Sequence, residues 1–190
     1  MNNLSKKIAN FLQELLFPAF CLGCNKEEFF LCEDCKSLLD ISEYNYCLCN
    51  KNPQRLPAGQ KSGKCKRCSD KRLSGLYFAL PYKDSSTSLG REKSLTRKLI
   101  HQFKYEPYLK SLAKPLAEIL IEHFIKSGNN TNDIWENSVL IPVPLDKKKL
   151  KSRGYNQSEE LAKELSKVLK IPVILDVLIK TKPTKPQMEL

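Results

Sequence analysis

The chain has 190 residues and a formal net charge of +11, from 32 lysines and arginines against 21 acidic residues. Its apolar fraction of 41% and charged fraction of 28% are typical of a soluble globular protein, which excludes a disordered chain. No stretch approaches the roughly 20 apolar residues of a membrane-spanning helix, and the basic surplus favours phosphate-bearing partners, although a lysine-rich composition alone would also produce it.

The first 20 residues form an amphipathic segment. Apolar side chains recur at helical spacing, and Asn10, Gln13 and Glu14 interrupt what would otherwise resemble the apolar region of a signal peptide. Phe20 before Cys21 is also too large for a cleavage site. The sequence therefore predicts a retained docking helix over residues 1–20 and a cytoplasmic location.

All eight cysteines lie between positions 21 and 68, in four close pairs, three of which have C-x2-C spacing. Two residues between thiolates allow a tight turn to direct both sulfurs at one ion, with Zn–S distances of about 2.3 Å. Two structural zinc sites are the simplest interpretation, with the first four cysteines in one site and the last four in the other. The spacing also permits the first pair to join the third. The predicted ligands are Cys21, Cys24, Cys32, Cys35, Cys47, Cys49, Cys65 and Cys68.

A disulfide framework is the alternative, but it would need an export signal that the sequence does not show. The second zinc site is the weaker prediction, because the single residue between Cys47 and Cys49 strains the turn. The two histidines, His101 and His123, lie too far along the chain to be obvious substitutes. Closed four-cysteine sites have no open position, so the zinc is expected to be structural. In a module over residues 21–70 it replaces the stabilisation that a small core cannot supply.

A second domain is predicted over residues 71–190. Residues 1–70 hold ten basic and eight acidic side chains, so most of the net positive charge of the chain lies in this second domain. In chain order, strands and helices alternate, which favours an α/β fold with a parallel sheet and flanking helices. The first predicted elements are a strand at 75–82, a helix at 95–104 and a helix at 109–124, which starts upstream of Pro115 or kinks there. A buried strand is predicted at 139–145, and strands are predicted at 171–175 and 177–179. Between them lies a helix that is capped by Asn156 and has Leu161, Leu165, Val168 and Leu169 on its apolar side.

Three stretches of this second part form a distinctive set: residues 100–105 (IHQFKY), residues 139–145 (VLIPVPL) and residues 153–157 (RGYNQ), followed by residues 184–187 (TKPQ). Together with the paired cysteines they resemble the ComF family of competence-associated proteins over essentially the whole chain. The resemblance implies a double zinc ribbon followed by a domain similar to type I phosphoribosyltransferases, which bind phosphoribosyl pyrophosphate (PRPP) and magnesium.

The resemblance also implies a PRPP cleft. A guanidinium there can pair bidentately with a phosphate, and the lysines at 147–149 can attract one as point charges or simply form a solvated face. Two groups of residues match the family motifs at this cleft, the loop Pro142, Val143 and Pro144 and the segment Arg153, Asn156 and Gln157.

The sequence departs from the family in one respect. The PRPP site needs a later strand ending in two acidic residues and a Thr/Gly-rich loop, and no glycine follows Gly154. The second domain is therefore expected to be an incomplete phosphoribosyltransferase-like sheet, truncated at its C-terminus, that cannot catalyse alone.

Four functions are compatible with this pattern. The first is a ComF-like protein of DNA uptake, with single-stranded DNA and competence or recombination proteins as partners. The second is a fragment of an active phosphoribosyltransferase, and the third is an inactive remnant. The fourth is a zinc-ribbon module that binds single-stranded nucleic acid, with Tyr77, Phe78, Tyr82 and Tyr105 as candidate stacking residues or, alternatively, as core residues.

Overall fold

The computed structural model of the protein describes residues 18–47, 54–56, 68, 75–81, 95–128 and 135–181. The predicted docking helix lies outside these ranges except for its last three residues, as do Tyr82 and residues 184–187. No helix in the described ranges is long and apolar enough to cross a membrane. The elements in these ranges are α1 (Glu33–Ser37), β1 (Tyr46–Cys47), β2 (Gln54–Arg55), α2 (Leu95–Lys104), a 3₁₀ turn (Lys110–Leu112), α3 (Ala113–Lys126), α4 (Lys147–Arg153) and α5 (Gln157–Leu169).

The N-terminal part is held by short antiparallel pairings. β1 pairs with β2, with Tyr46 opposite Arg55. Residues 75–81 run along β1 and the segment before it, where Leu76 forms an antiparallel bridge with Tyr46 of β1 and the Ser42 N–H donates to the Ala79 carbonyl at 2.8 Å. In the range 75–82, where the sequence predicts a strand, this single bridge is the strand pairing that the described residues show.

Helices α2 and α3 follow the sequence prediction closely. α2 has the predicted bounds and buries Thr96, Leu99 and Phe103. α3 begins at Ala113, which places Pro115 in its first turn, where a backbone N–H has no intrahelical acceptor and its loss costs little. The upstream start, and not a kink, therefore accommodates the proline.

Helices α4 and α5 are separated by a tight turn. The Asp146 side chain caps α4 by accepting from the Lys148 N–H at 2.9 Å, and Gly154, with φ +81°, ends it. Asn156 caps α5 as predicted, because its Oδ1 accepts from the Ser158 N–H at 3.1 Å. α4 is not among the helices predicted from the sequence.

One parallel pairing joins the segments on either side of α4 and α5. The Leu140 N–H donates to the Pro172 carbonyl and the Ile174 N–H to the Leu140 carbonyl, both at 2.9 Å, which makes a parallel bridge between Leu140 and Val173. The described residues do not extend this pairing into a sheet.

The prediction that residues 139–145 are a buried strand is wrong. Side chains alternate between the two sides of an extended segment, and here one side packs while the other faces solvent. Leu140 packs against Phe124 and Leu169, whereas Val139, Ile141 and Val143 are 45%, 40% and 67% exposed.

The apolar side of α5 also differs from the prediction. Val168 is 55% exposed, while Ala162 and Leu169 are buried and Leu161 and Leu165 are partly buried. Val168 lies on nearly the same side of the helix as Leu161, seven residues earlier, but in the last turn of α5, beyond the part of this side that packs on the main core.

The main hydrophobic core crosses the predicted boundary near residue 70. It joins Cys21, Leu31 and Ile41 from the N-terminal part to Phe103 and Leu116 from α2 and α3. Lys36 of α1 also forms an ion pair of 3.5 Å with Glu118 of α3. The N-terminal part is therefore packed directly on the helices of the second part.

Candidate functional site

Four cysteines form a compact cluster in the N-terminal part. The Sγ atoms all lie within 4.8 Å of one another, and Cys32 Sγ lies 3.6 Å from Cys21 Sγ and 3.6 Å from Cys24 Sγ. Cys21, Cys32 and Cys35 are buried and Cys24 is exposed. Among the described cysteines, the structure thus brings the first and second pairs together, whereas Cys47 of the third pair lies in a separate cluster.

The backbone of this cluster is a short hairpin followed by α1. The Asn25 N–H donates to the Cys21 carbonyl at 2.8 Å, and Phe20 pairs with Glu27 across the turn. Cys32 caps α1, because its sulfur accepts from the Cys35 N–H at 3.5 Å. The C-x2-C spacing therefore places each pair in a turn that directs both sulfurs to one point.

The sulfurs perturb one another's ionisation. Burial raises the pKa of Cys21, but N–H groups such as those of Cys24 and Cys32 outweigh it and bring the pKa down to about 6. Burial and bonds to the other sulfurs raise the pKa of Cys35 to about 12. The Cys35 N–H lowers the pKa of Cys32, yet burial and the neighbouring sulfurs give a net rise. Four sulfurs this close cannot all be thiolates unless a cation lies between them.

The four-cysteine cluster fits a zinc ion. A tetrahedral ion with Zn–S distances of about 2.3 Å requires sulfurs about 3.8 Å apart. The two closest sulfur pairs, each including Cys32, are 3.6 Å apart and lie near that value. Thiolates are the preferred ligands of structural zinc, so the cluster could bind a metal ion of this kind.

The second group of cysteines is described in part. Cys47 and Cys68 are buried together with Leu56 in a small separate cluster. Cys49 and Cys65 lie outside the described residues.

The three motifs that carry the family resemblance meet at one place. The Phe103 carbonyl, near the end of α2, accepts from the Tyr155 hydroxyl at 2.7 Å and from Gln157 Nε2 at 3.5 Å. The Asn156 Nδ2 donates to the Val143 carbonyl at 3.0 Å. We call this set of five residues, Phe103, Val143, Tyr155, Asn156 and Gln157, the motif junction.

The predicted cleft residues have different surroundings in this junction. Gln157 is 7% exposed and contacts Phe103, and Asn156 links the loop of Pro142, Val143 and Pro144 to the start of α5. Arg153 lies at the surface of the junction, with its Cζ atom 5.9 Å from the Tyr105 ring and 6.0 Å from the Tyr108 ring. Of these residues, Arg153 presents a charged group beside the exposed Tyr105 ring and the half-buried Tyr108 ring.

The sequence places Tyr155 in the RGYNQ motif but could not show its contact with Phe103, or that of Tyr108 with Arg153, because both contacts are made across long sequence separations. Burial raises the pKa of Tyr155, although the nearby Arg153 lowers it. A tyrosine between the glycine and asparagine of a turn is the one local signal that could have drawn attention to it.

The candidate stacking residues separate into core and surface. Tyr77 packs edge-on against Phe124 at 5.7 Å, and Phe78 stacks on Tyr46 at 4.2 Å, so both are structural. Tyr105 is 45% exposed and lies 4.9 Å from the His101 ring. Tyr105 is therefore the exposed member of the predicted set among the described residues.

The two histidines lie away from the cysteine cluster. His101 is exposed on α2 beside Tyr105. His123 is fully buried on α3, and its Nδ1 lies 2.6 Å from the Ser42 carbonyl, which joins α3 to the N-terminal part. His123 is therefore a core residue.

The fold and the cluster define a protein of mixed helix and short strand with a thiolate site of the zinc type packed on its helices. The chain is 25% identical to Competence protein F of Haemophilus influenzae over 162 residues, which are 85% of this chain and 70% of that protein. No protein-family model and no solved structure matches the chain. The chain is thus similar to Competence protein F over most of its length, and the similarity supports a competence-related function.

Proposed function

We propose that this protein acts in DNA uptake by binding single-stranded DNA, with zinc as a structural ion. The similarity to Competence protein F supports the biological context. The observation that carries the molecular proposal is α4, in which five of the seven residues of KKKLKSR are basic and none is buried. This helix ends at Arg153, beside the exposed Tyr105.

The local charge favours an anionic partner. The acidic residues that start α5 are already paired, because Glu159 contacts Lys163 at 2.6 Å and Glu160 contacts Lys110 at 3.2 Å. The lysines of α4 have no such acidic neighbour among the ion pairs of the described residues. Releasing counterions from phosphates is the dominant, salt-dependent source of affinity for a surface of this kind.

The test is a titration of a fluorescent single-stranded oligonucleotide with the zinc-loaded protein at several salt concentrations. We expect the affinity to fall steeply with salt. Replacing the three lysines at 147–149 by alanine should reduce the slope of log affinity against log salt by about 2, since each phosphate contact on a single strand contributes roughly 0.7. A variant with Lys26, Lys126 and Lys167 replaced by alanine has the same charge and should keep the slope. Equal slopes for both variants, or no binding by the native protein, would contradict the proposal.

A second candidate is a phosphoribosyltransferase-like site in the same region. Its support is the parallel pairing of Leu140 with Val173 across α4 and α5, together with the loop of Val143 held against Asn156. Arg153 would then pair with the pyrophosphate of PRPP, and a bound magnesium ion would offset the charge of the pyrophosphate. Calorimetric titration with PRPP and Mg²⁺ tests this candidate, and an Arg153→Lys variant should bind at least about tenfold more weakly, since lysine cannot pair bidentately.

We also propose that the last four cysteines hold a second zinc ion. The shared burial of Cys47 and Cys68 supports it. Metal analysis of the purified protein should then give two ions per chain, and Cys35→Ser and Cys68→Ser should each lose one. A single ion that is lost only in Cys35→Ser would rule out the second site.

A further inference from the structure

An aromatic and basic surface lies where α2 ends beside α4. Tyr105, 45% exposed, follows α2 directly, and the His101 ring one turn earlier lies 4.9 Å from it, tilted by 37°. Arg153 approaches the same ring, with its Cζ atom at 5.9 Å, within the distance at which a guanidinium and an aromatic face attract. We call His101, Tyr105 and Arg153 the aromatic platform.

The backbone under this platform is fixed. The Tyr105 N–H donates to the His101 carbonyl at 2.7 Å, and the Tyr108 N–H donates to the Tyr105 carbonyl at 2.8 Å. Two residues before Tyr105, the Phe103 carbonyl is held by Tyr155 at 2.7 Å. The backbone that carries the Tyr105 ring therefore loses little conformational freedom when a flat ligand stacks on the ring.

Phosphate-binding groups lie at a suitable position beside the platform. At about 100° per residue, Lys149 lies one turn before Arg153 on the same side of α4, whereas Lys151 lies on the opposite side. Both lysines are exposed. Two acidic residues are close in sequence: Glu106 is exposed next to Tyr105, and the Asp146 carboxylate caps α4.

We propose that the aromatic platform stacks a base of single-stranded DNA while Lys149 contacts an adjacent phosphate. This inference rests on the proposed function and identifies where and how the strand binds. Every base has a flat π face, so stacking on an exposed tyrosine suits a strand of any sequence, and cations such as arginine strengthen it. PRPP has no base and a duplex keeps its bases stacked internally, so a single strand is the nucleic acid that uses both parts of the surface.

The experiment distinguishes binding to the bases from binding to the phosphates. The zinc-loaded protein is titrated with an oligonucleotide of about 12 thymidines and with an abasic strand of the same length and charge, a length within the range that single-strand modules occupy. We expect the native protein to bind the thymidine strand about tenfold more tightly, which corresponds to about 1.4 kcal/mol. Tyr105→Leu should remove this preference and leave abasic binding unchanged, whereas Tyr105→Phe should keep it.

Matched controls identify the residues. Lys149→Ala should weaken binding of both strands by a similar factor, and Lys151→Ala should weaken it less. Tyr44 is a control for the tyrosine, because it is also paired with an arginine, with Arg55 Cζ 3.0 Å from its ring centroid, but lies in the N-terminal part. Tyr44→Leu should therefore keep the preference for bases. His101→Leu provides a second test of the platform if Tyr105→Leu does not fold.

Each outcome bears on a different statement. Equal binding of both strands by the native protein would overturn the stacking inference and leave the proposed DNA binding intact. The inference would also be overturned if Tyr44→Leu lost the preference for bases while Tyr105→Leu and His101→Leu kept it, because the bases would then bind elsewhere. Binding of neither strand would refute the proposed function itself.

Discussion

We predict that the Tyr155 hydroxyl stabilises the protein by joining two of the motifs at the motif junction. It donates to the Phe103 carbonyl at 2.7 Å from a side chain that is 6% exposed. That carbonyl lies in the last turn of α2, where a carbonyl has no intrahelical donor. Tyr155→Phe keeps the ring and removes the hydroxyl, so the carbonyl retains only the longer, 3.5 Å contact from Gln157 Nε2.

The expected magnitudes follow from this geometry. Tyr155→Phe should lower the free energy of unfolding by about 1.5 kcal/mol, the range for losing a buried hydrogen bond, and Gln157→Leu, which breaks a long bond, by about 0.5 kcal/mol. The double variant leaves the Phe103 carbonyl buried with no donor, so it should lose about 3 kcal/mol, clearly more than the sum. The excess measures how far the two donors substitute for each other.

Urea unfolding with zinc in excess, followed by circular dichroism, measures these losses. Tyr105→Phe is the control, because its hydroxyl belongs to a side chain that is 45% exposed, where water can hydrogen-bond to it. The reasoning fails if the losses of the two single variants add to that of the double variant within about 0.3 kcal/mol. It also fails if Tyr105→Phe destabilises the protein as much as Tyr155→Phe.

Three further predictions concern the cysteine cluster. A Cβ at Gly23 would lie 2.5 Å from Cys35 Sγ, so Gly23→Ala should weaken zinc binding at this site by at least about tenfold in a competition titration with a chelator, and unchanged affinity would contradict it. The raised pKa values of Cys32 and Cys35 keep both protonated at pH 7, so zinc binding must release at least these two protons, and affinity should rise by at least about 100-fold per pH unit near neutrality; a calorimetric binding heat independent of the buffer would refute this. Chelation of zinc should speed amide exchange in α2, and equal exchange with and without the metal would show that the packing of the cluster on α2 carries no stability.

Local signals account for the parts of the fold that were predicted correctly. The spacing of Leu95, Leu99 and Phe103 gives the bounds of α2, and the polar side chain of Asn156 marks the start of α5. The same is true of the first two cysteine pairs, whose C-x2-C turns determine where their sulfurs point. Each of these features depends on residues within a few positions of one another.

Long-range contacts account for most of what the sequence did not show. α4 is an exception, because its bounds depend on two local signals, Asp146 and Gly154, and it was missed since its mostly basic, unburied residues show no apolar periodicity. The contact of Tyr155 with Phe103 spans 52 positions. The exposure of Val143 likewise depends on which chain segments cover the loop, and an apolar residue type cannot reveal that.

The cysteine cluster and the motif junction lie at opposite ends of α2. A Cβ at Gly23, between the first two cysteines, would lie 3.5 Å from Leu95 Cδ2 at the start of the helix, and Phe103 at its end is held by Tyr155. Ten residues at about 1.5 Å each make this helix a stiff rod of roughly 15 Å with Leu99 fully buried between. A metal that fixes the cysteines would therefore also fix the start of the helix whose end carries Tyr105. The zinc site and the proposed DNA surface would then be connected through α2, and a structural ion would help to position the ligand surface.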